Sequence, residues 1–441
     1  MAFPNLKVVG IIVVGCVVFT ASLGLTQEIP SPPTPPQPMY KSEKIVVAMR
    51  AEFSDYKSLV PLMQKFEKET GIRIEHIDYP AVALRDNLIT VLATGAPTYD
   101  IVLMDIVFIP EFAAAGFITP LDGSKDPFIA YTKDDLADYF PGCIDAVTYK
   151  GHLYAKDYSS DIGMLYYRKD LLSDAGLGGP PTTWDELISY AKKLTKDFNG
   201  DGVTDQWGYA FTAKEYEGCL CIFNELVAQA GGSLIDKQGN VTVNEPPAVK
   251  ALQFMVDLRN KYKVVPPGVV NYTEKDIHTG FINGKFAMAR NWPYMWGMCE
   301  APDSPIRGKV GMSELPRLKQ GGSTMGGWFF GIAAGSKRKR AAWELIKYLT
   351  SREASVYMCY KSADIPYRRS FFEDPRVKRD LSWVLPFKDG MKDAVPRPSI
   401  PEWGTIKKPL WTEIAKALIG QKTPKQALSD VAEEWKRILS K

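Results

Sequence analysis

The order of apolar segments predicts an α/β protein built on mainly parallel sheets. Three observations carry that expectation. From Lys44 onward, short apolar runs alternate with segments whose apolar residues recur at helical spacing. Strand–helix repetition of this kind forms parallel sheets through right-handed crossovers. The 441 residues leave room for two to three domains of about 150 residues each. The composition, 45% hydrophobic and 24% charged, is that of a globular chain, which excludes disorder, a collagen-like fibre and a small disulfide scaffold.

Charge and histidine content exclude two function classes. The 54 basic residues nearly balance the 51 acidic ones, for a formal charge of +3. A mainly electrostatic nucleic-acid binder would need a basic excess on one face. With only His76, His152 and His278, a His-rich metal centre is not expected.

Residues 1–27 read as an export segment. Lys7 precedes an uncharged apolar run from Val8 to Leu25, about the minimum for a membrane-spanning helix and longer than most signal-peptide cores. Within it, Val13-Val14-Gly15-Cys16 resembles a lipoprotein-processing pattern, whose cleavage would leave a lipidated Cys16. The alternative is an uncleaved anchor in which Cys16 is merely small and apolar. Both readings put the body outside the cell membrane, tethered to its outer face. Residues 28–43 form a linker in which Pro30, Pro32, Pro33, Pro35, Pro36 and Pro38 predict an extended, semi-rigid polyproline spacer.

The body opens with a strand at Ile45–Met49. Leu59, Leu62, Met63 and Phe66 then mark a helix, which Gly71 stops. Ile72, Ile74 and His76 alternate as in a strand; Leu84, Leu88, Val91 and Leu92 mark a second helix, ended by Gly95. Ile101–Met104 is a fully apolar strand that ends at Asp105. Ligands of such sheets bind beyond the carboxyl ends of the strands. Glu52, Phe53, Asp55 and Asp105 follow strand ends and are therefore candidate cleft residues.

A second unit follows. Thr183 and Glu186 have capping-box spacing ahead of a helix with Leu187, Tyr190, Ala191 and Leu194 on its buried stripe. Val249, Leu252 and Val256 mark a helix after Pro246-Pro247. Val310–Met312 is strand-like, and Ala341, Ala342, Leu345, Ile346 and Leu349 define a further helix. Thr423-Pro424-Lys425-Gln426 is a capping box with proline at the first helical position, opening a helix through Leu428, Val431, Ala432, Trp435 and Leu439.

No catalytic motif is present. Gly280-Phe281-Ile282-Asn283-Gly284-Lys285 is one residue short of a phosphate loop and lacks its Ser or Thr. Carboxylates suffice for a glycosidase pair, but nothing in the sequence selects two of them. Asp197, Asn199, Asp201, the Val203 carbonyl and Asp205, with Gly202 at the turn, match the first nine positions of an EF-hand-type calcium loop. Gly208 stands where the bidentate glutamate belongs, so the segment also reads as an Asx-rich turn; a calcium here would stiffen the loop rather than do chemistry. Without Cys16, the cysteines are Cys143, Cys219, Cys221, Cys299 and Cys359, an odd set that permits one disulfide and leaves at least one thiol free. Asn240 and Asn271 begin N-x-T sequons.

Large rings stand beside glycine and proline at Asn291-Trp292-Pro293-Tyr294-Met295-Trp296 and Gly326-Gly327-Trp328-Phe329-Phe330. A pyranose has an apolar C–H face and a rim of hydroxyls, so it suits a ring to stack on and fixed charged groups to bond.

From Lys44 to its end the chain resembles the extracytoplasmic solute-binding proteins of ABC importers, in their sugar-binding branch. The resemblance rests on Asp100–Asp105, Leu165–Leu172, Pro181–Leu187, Gly284–Met288, Gly326-Gly327-Trp328 and Ala342–Leu349. Tyr216-Glu217-Gly218, Ala251–Leu258, Arg290–Tyr294, Asp303-Ser304-Pro305 and Ala394–Pro398 are similar to archaeal trehalose/maltose-binding proteins. This implies two hinged α/β lobes, residues 44–155 plus 308–349 and residues 156–307 plus 350–441, closing over a disaccharide or short oligosaccharide. The chain would cross between them near Ala155–Tyr158, Arg307 and Leu349. By matching motifs, Arg85, Asp105, Asp161, Tyr216, Trp292, Tyr294, Gly327, Trp328 and Arg397 would face the sugar, with Asp55 or Glu52 as an acidic contact. The loop Arg50-Ala51-Glu52-Phe53 departs from the glycine-rich version expected there. The resemblance further implies a monomer that binds without turnover, needs no cofactor and delivers sugar to a membrane permease. A secreted carbohydrate-active enzyme and a binding protein for a non-sugar solute are the alternatives.

Overall fold

The computed structural model describes residues 29–37, 44–51 and 53–440. The apolar run, Cys16 and Glu52 lie outside them. Two sheets organise the body. The first contains β1 (Lys44–Arg50), β2 (Arg73–Tyr79), β3 (Ile101–Asp105), β6 (Lys156–Ile162), β11 (Ser323–Ile332) and β12 (Ala394–Pro396). The second contains β7 (Met164–Arg168), β8 (Trp207–Ala210), β9 (Phe286–Asn291) and β10 (Val310–Ser313), in the order β10-β7-β9-β8. A small hairpin joins β4 (Thr148–Tyr149) to β5 (His152–Leu153).

Both sheets are mixed rather than mainly parallel. Parallel pairs arise where a helix carries the chain back, as from β1 to β2 and β3. β6 and β3 run antiparallel to β11, and β9 and β10 antiparallel to β7. β6, β10 and β11 are entered through the hairpin or through loops, with no crossover helix to impose a parallel direction. The same connections move the expected lobe boundaries. β6 lies in the first sheet and β10 in the second, so the chain crosses at Gly163 and between residues 313 and 323. Helix Arg352–Ser362 still packs on helix Phe53–Thr70, which extends the first lobe past Leu349.

The helices form where apolar spacing predicts them. Helix Phe53–Thr70 buries Leu59, Leu62, Met63 and Phe66 against the first sheet, and Gly71 terminates it at φ 74°. Helix Ala81–Leu92 buries Leu84, Leu88 and Leu92. Thr183 caps helix Trp184–Leu194 through the Glu186 N–H, but the Glu186 carboxylate reaches back to Thr182, so the predicted box is only half made. The box at Thr423 and Gln426 is complete. All five cysteines among the described residues are buried and free; Cys219 and Cys221 lie two residues apart on helix Glu217–Gln229. Apolar burial makes them packing groups and pushes the Cys221 and Cys299 thiols up to about 12.

The proline-rich segment is not a free spacer over its described part. Pro35 is buried, the Pro33 carbonyl accepts a 2.8 Å hydrogen bond from the Tyr348 hydroxyl, and Gln37 donates to the Glu69 carbonyl. Residues 29–37 therefore lie along the first lobe.

Helix Trp403–Leu418, which contributes to the cleft, is held from behind by helix Pro424–Leu439. Trp435 is fully buried there, edge-on to Trp403 at 6.2 Å, and its Nε1 donates to the Ile406 carbonyl at 2.6 Å. Trp435→Ala is expected to destabilise the protein by about 3–5 kcal/mol, read from denaturant midpoints, because it opens a cavity and leaves that carbonyl without its partner.

Candidate functional site

The carboxyl ends of the first-sheet strands meet at one place. Arg50 ends β1, Asp105 ends β3, and Asp161 lies near the end of β6. β11 runs alongside, pairing Trp328 with Asp105 and Gly326 with Asp161. Gly326 and Trp328 are two residues apart on one strand and so present the same face. Between them Gly327 has φ 134°, and a Cβ there would lie 2.7 Å from the Ser159 carbonyl. Glycine at 327 is thus needed for strand geometry.

Asp55 holds the floor of the site rather than reaching into it. Its fully buried carboxylate accepts hydrogen bonds from Arg50 at 2.6 and 3.1 Å and from the Tyr158 hydroxyl at 2.5 Å. That fixes the Arg50 guanidinium 4.1 Å from the centre of the Trp328 ring. The second lobe repeats the device. Arg290, paired with buried Glu225 at 2.7 and 3.0 Å, stands 3.9 Å over the Trp292 ring. The Trp292 indole N–H points to Glu274 at 3.3 Å, and the Tyr216 hydroxyl accepts the Glu274 N–H at 3.2 Å.

The two walls belong to one crevice. A Cβ on Gly326 would lie 3.4 Å from the Trp292 ring and 3.2 Å from the Asp161 Cβ, which puts second-lobe Trp292 against first-lobe Asp161. Arg397, just after β12, bridges the lobes: Nη2 donates to Asp105 at 3.2 Å and Nη1 to Glu217 at 2.7 Å. Glu217 also accepts from Trp403 at 3.0 Å and Lys407 at 2.8 Å. Burial opposes its charge, yet Arg397 and Lys407 hold the Glu217 carboxyl below its ordinary range. The Arg397 Nε is buried with no hydrogen-bond partner.

The family model for the bacterial extracellular solute-binding protein matches residues 50–356. The chain belongs to that family. Among solved structures, maltose-bound MalE3 of T. maritima superposes with a TM-score of 0.81 at 34% identity, covering 90% of this chain and 99% of that one. A probable ABC transporter-binding protein of Deinococcus radiodurans is 33% identical over 60% of this chain and 63% of its own length. The maltotriose-binding protein of Pyrococcus abyssi is 26% identical over 68% of this chain and 61% of its own. In this solute-binding protein the crevice lies between the two sheets, with Asp161 on one side and Trp292 on the other.

Within this solute-binding protein the structure brings Asp105, Asp161, Trp292, Trp328 and Arg397 together, with Asp55 beneath and Tyr216 behind Glu274; Gly327, on the other face of its strand, looks toward Ser159. Two candidates are engaged elsewhere. Arg85 is fixed by Glu111 at 2.8 and 2.5 Å and by Asp86 at 2.8 Å, and the Tyr294 hydroxyl sits 3.1 Å from His278. Sequence reading missed Arg50, Glu217, Glu274, Arg290 and Lys407. Arg50 could have been found, because it ends a strand as Asp105 does; the others have meaning only through partners distant in sequence.

Loop 197–205 closes on itself. Asp197 accepts the Gly200 and Gly202 N–H groups, Asn199 that of Asp201, Asp201 that of Val203, and Asp205 that of Phe198. The bonds to Asn199 and Asp201 span two residues as in Asx turns, the others cross the loop, and no three His, Cys, Asp or Glu side chains among the described residues group as metal ligands.

Acidic groups crowd the hinge side of the cleft. Asp161 is pushed up to about 7 by loss of surrounding water, relieved by Arg50 and worsened by Asp364 and Asp105. Burial likewise raises Asp157 to about 7 and Asp364 to about 6. A raised carboxyl favours the folded state while it is neutral, so this stability is fully present below about pH 4 and is lost as pH rises through about 7. Asp161→Asn, which stays neutral, is expected to raise the thermal midpoint of the sugar-free protein at pH 8 and to leave it nearly unchanged at pH 4, by scanning calorimetry at both values.

Proposed function

We propose that this protein captures a disaccharide or short oligosaccharide of the maltose or trehalose kind outside the cell membrane and hands it to the permease of an ABC importer. The observation that carries the reading is the pair of guanidinium-backed indoles, Trp292 and Trp328, from opposite lobes of one cleft. Sugar C–H faces stack on such rings, and the charged rim accepts or donates to the hydroxyls. The Arg397 Nε, buried without a partner, is a donor that a hydroxyl would satisfy.

The mechanism is binding by population shift. Ligand touching both lobes binds the closed form better than the open one, and the equilibrium moves by that difference in affinity. Membership of an extracellular solute-binding family supports delivery to a permease, and the maltose and maltotriose ligands of two relatives support the sugar class. The Val8–Leu25 run, lipidated at Cys16 or uncleaved, would tether the body. Binding as a monomer, without turnover, needs no cofactor.

Calorimetry against maltose, trehalose and maltotriose, with free glucose assayed afterward, tests this. Saturable heat without glucose supports capture; glucose release would make the protein an enzyme. Trp328→Ala is expected to weaken sugar binding by at least roughly tenfold, about 1.4 kcal/mol, with its far-ultraviolet circular dichroism unchanged. An unaltered affinity would remove Trp328 from the site.

A further inference from the structure

We propose that Gly404 is the seat on which the lobes meet when the cleft closes, and that a side chain there would hold the cleft ajar. This rests on the capture reading above and adds a residue to it that faces the opposite lobe and not the ligand. Gly404 lies in the first turn of helix Trp403–Leu418, in the second lobe. Across the gap is Arg85, on first-lobe helix Ala81–Leu92. A Cβ built on Gly404 would stand 2.5 Å from the Arg85 Nη2, 3.0 Å from its Cζ and 3.3 Å from its Nε.

Such a collision is mild when the opposing atoms end a free arginine. Here they do not. Nε and Nη2 donate to the two oxygens of Glu111, at 2.8 and 2.5 Å, and Nη1 donates to Asp86 at 2.8 Å. The bidentate pair fixes the plane of the guanidinium, so yielding to a methyl group would break charge-assisted bonds within the first lobe. The other way to relieve the contact is to part the lobes.

The helix itself gives no reason for glycine. Gly404 is outside the positive-φ region, and alanine is the better helix former. Gly404→Ala should therefore leave the thermal midpoint of the sugar-free protein unchanged or slightly higher while sugar affinity falls about tenfold, with Gly404→Val weaker still. A structural defect would lower both.

The test is a double-mutant cycle read two ways in the full chain. Maltose affinity is measured by calorimetry, and interlobe distance by spin labels on Val82→Cys and Lys408→Cys, exposed positions one turn from Arg85 and Gly404. The expected result is that Gly404→Ala depletes the short-distance population, and that it has no such effect in an Arg85→Ala background. Equal effects in both backgrounds, or no short-distance population in the unsubstituted protein with or without sugar, would overturn the proposal. If the unsubstituted protein closes but binds none of the sugars, the sugar reading fails, and the distance cycle still decides the role of Gly404.

Discussion

The cleft depends on a single buried guanidinium. Arg397 is only 4% exposed, yet it serves carboxylates of both lobes, Asp105 at 3.2 Å and Glu217 at 2.7 Å. A buried charge is tolerated only where paired and hydrogen-bonded. The pairing therefore ties the closeness of the lobes to the solvation of Arg397. Parting the lobes would separate Arg397 from one of its partners or expose the pair to water. Trp403 and Lys407, which also serve Glu217, extend this constraint into helix Trp403–Leu418.

The same logic appears one layer out. Each candidate stacking ring is backed by an arginine, and each arginine is fixed by a buried carboxylate: Asp55 for Arg50, Glu225 for Arg290. An indole on a flexible loop would lose rotamer freedom on meeting a ligand. One already clamped by a guanidinium loses less, so more of the stacking energy reaches the affinity. The candidate acidic residues thus divide into two kinds. Asp105 and Asp161 line the crevice, whereas Asp55 positions another side chain.

Much of the fold was legible because it rests on local patterns. The apolar runs at Ile45–Met49 and Ile101–Met104, the helical stripe from Leu59 to Phe66 and the capping box at Thr423 each need only a few neighbouring residues. Strand direction in β7, β10 and β11 was not legible, because it is set by where the chain crosses between lobes. For the site, the motif match named Asp161, Trp292, Trp328 and Arg397, which the structure places near one another. It could not show that Arg85 is occupied by Glu111, nor find Glu217 or Glu274, whose roles arise from contacts far apart in sequence.

Burying acids near the hinge has a thermodynamic consequence. Asp157 and Asp364 lie within the first lobe's hinge layer, the first accepting the Tyr367 N–H and the second the Ser58 and Ser159 hydroxyls. Their raised affinity for protons means that near neutral pH part of the folded ensemble carries them uncharged. Such groups lower the stability of the hinge relative to an apolar equivalent, and hinges need low stability to move. The ring platforms stand on arginines paired with buried carboxylates, and the layer between them carries the carboxyls whose affinity for protons burial has raised. A solute-binding protein that closes its lobes on a ligand and later parts them is served by that division, with paired walls to define the ligand and a weaker joint to let them part.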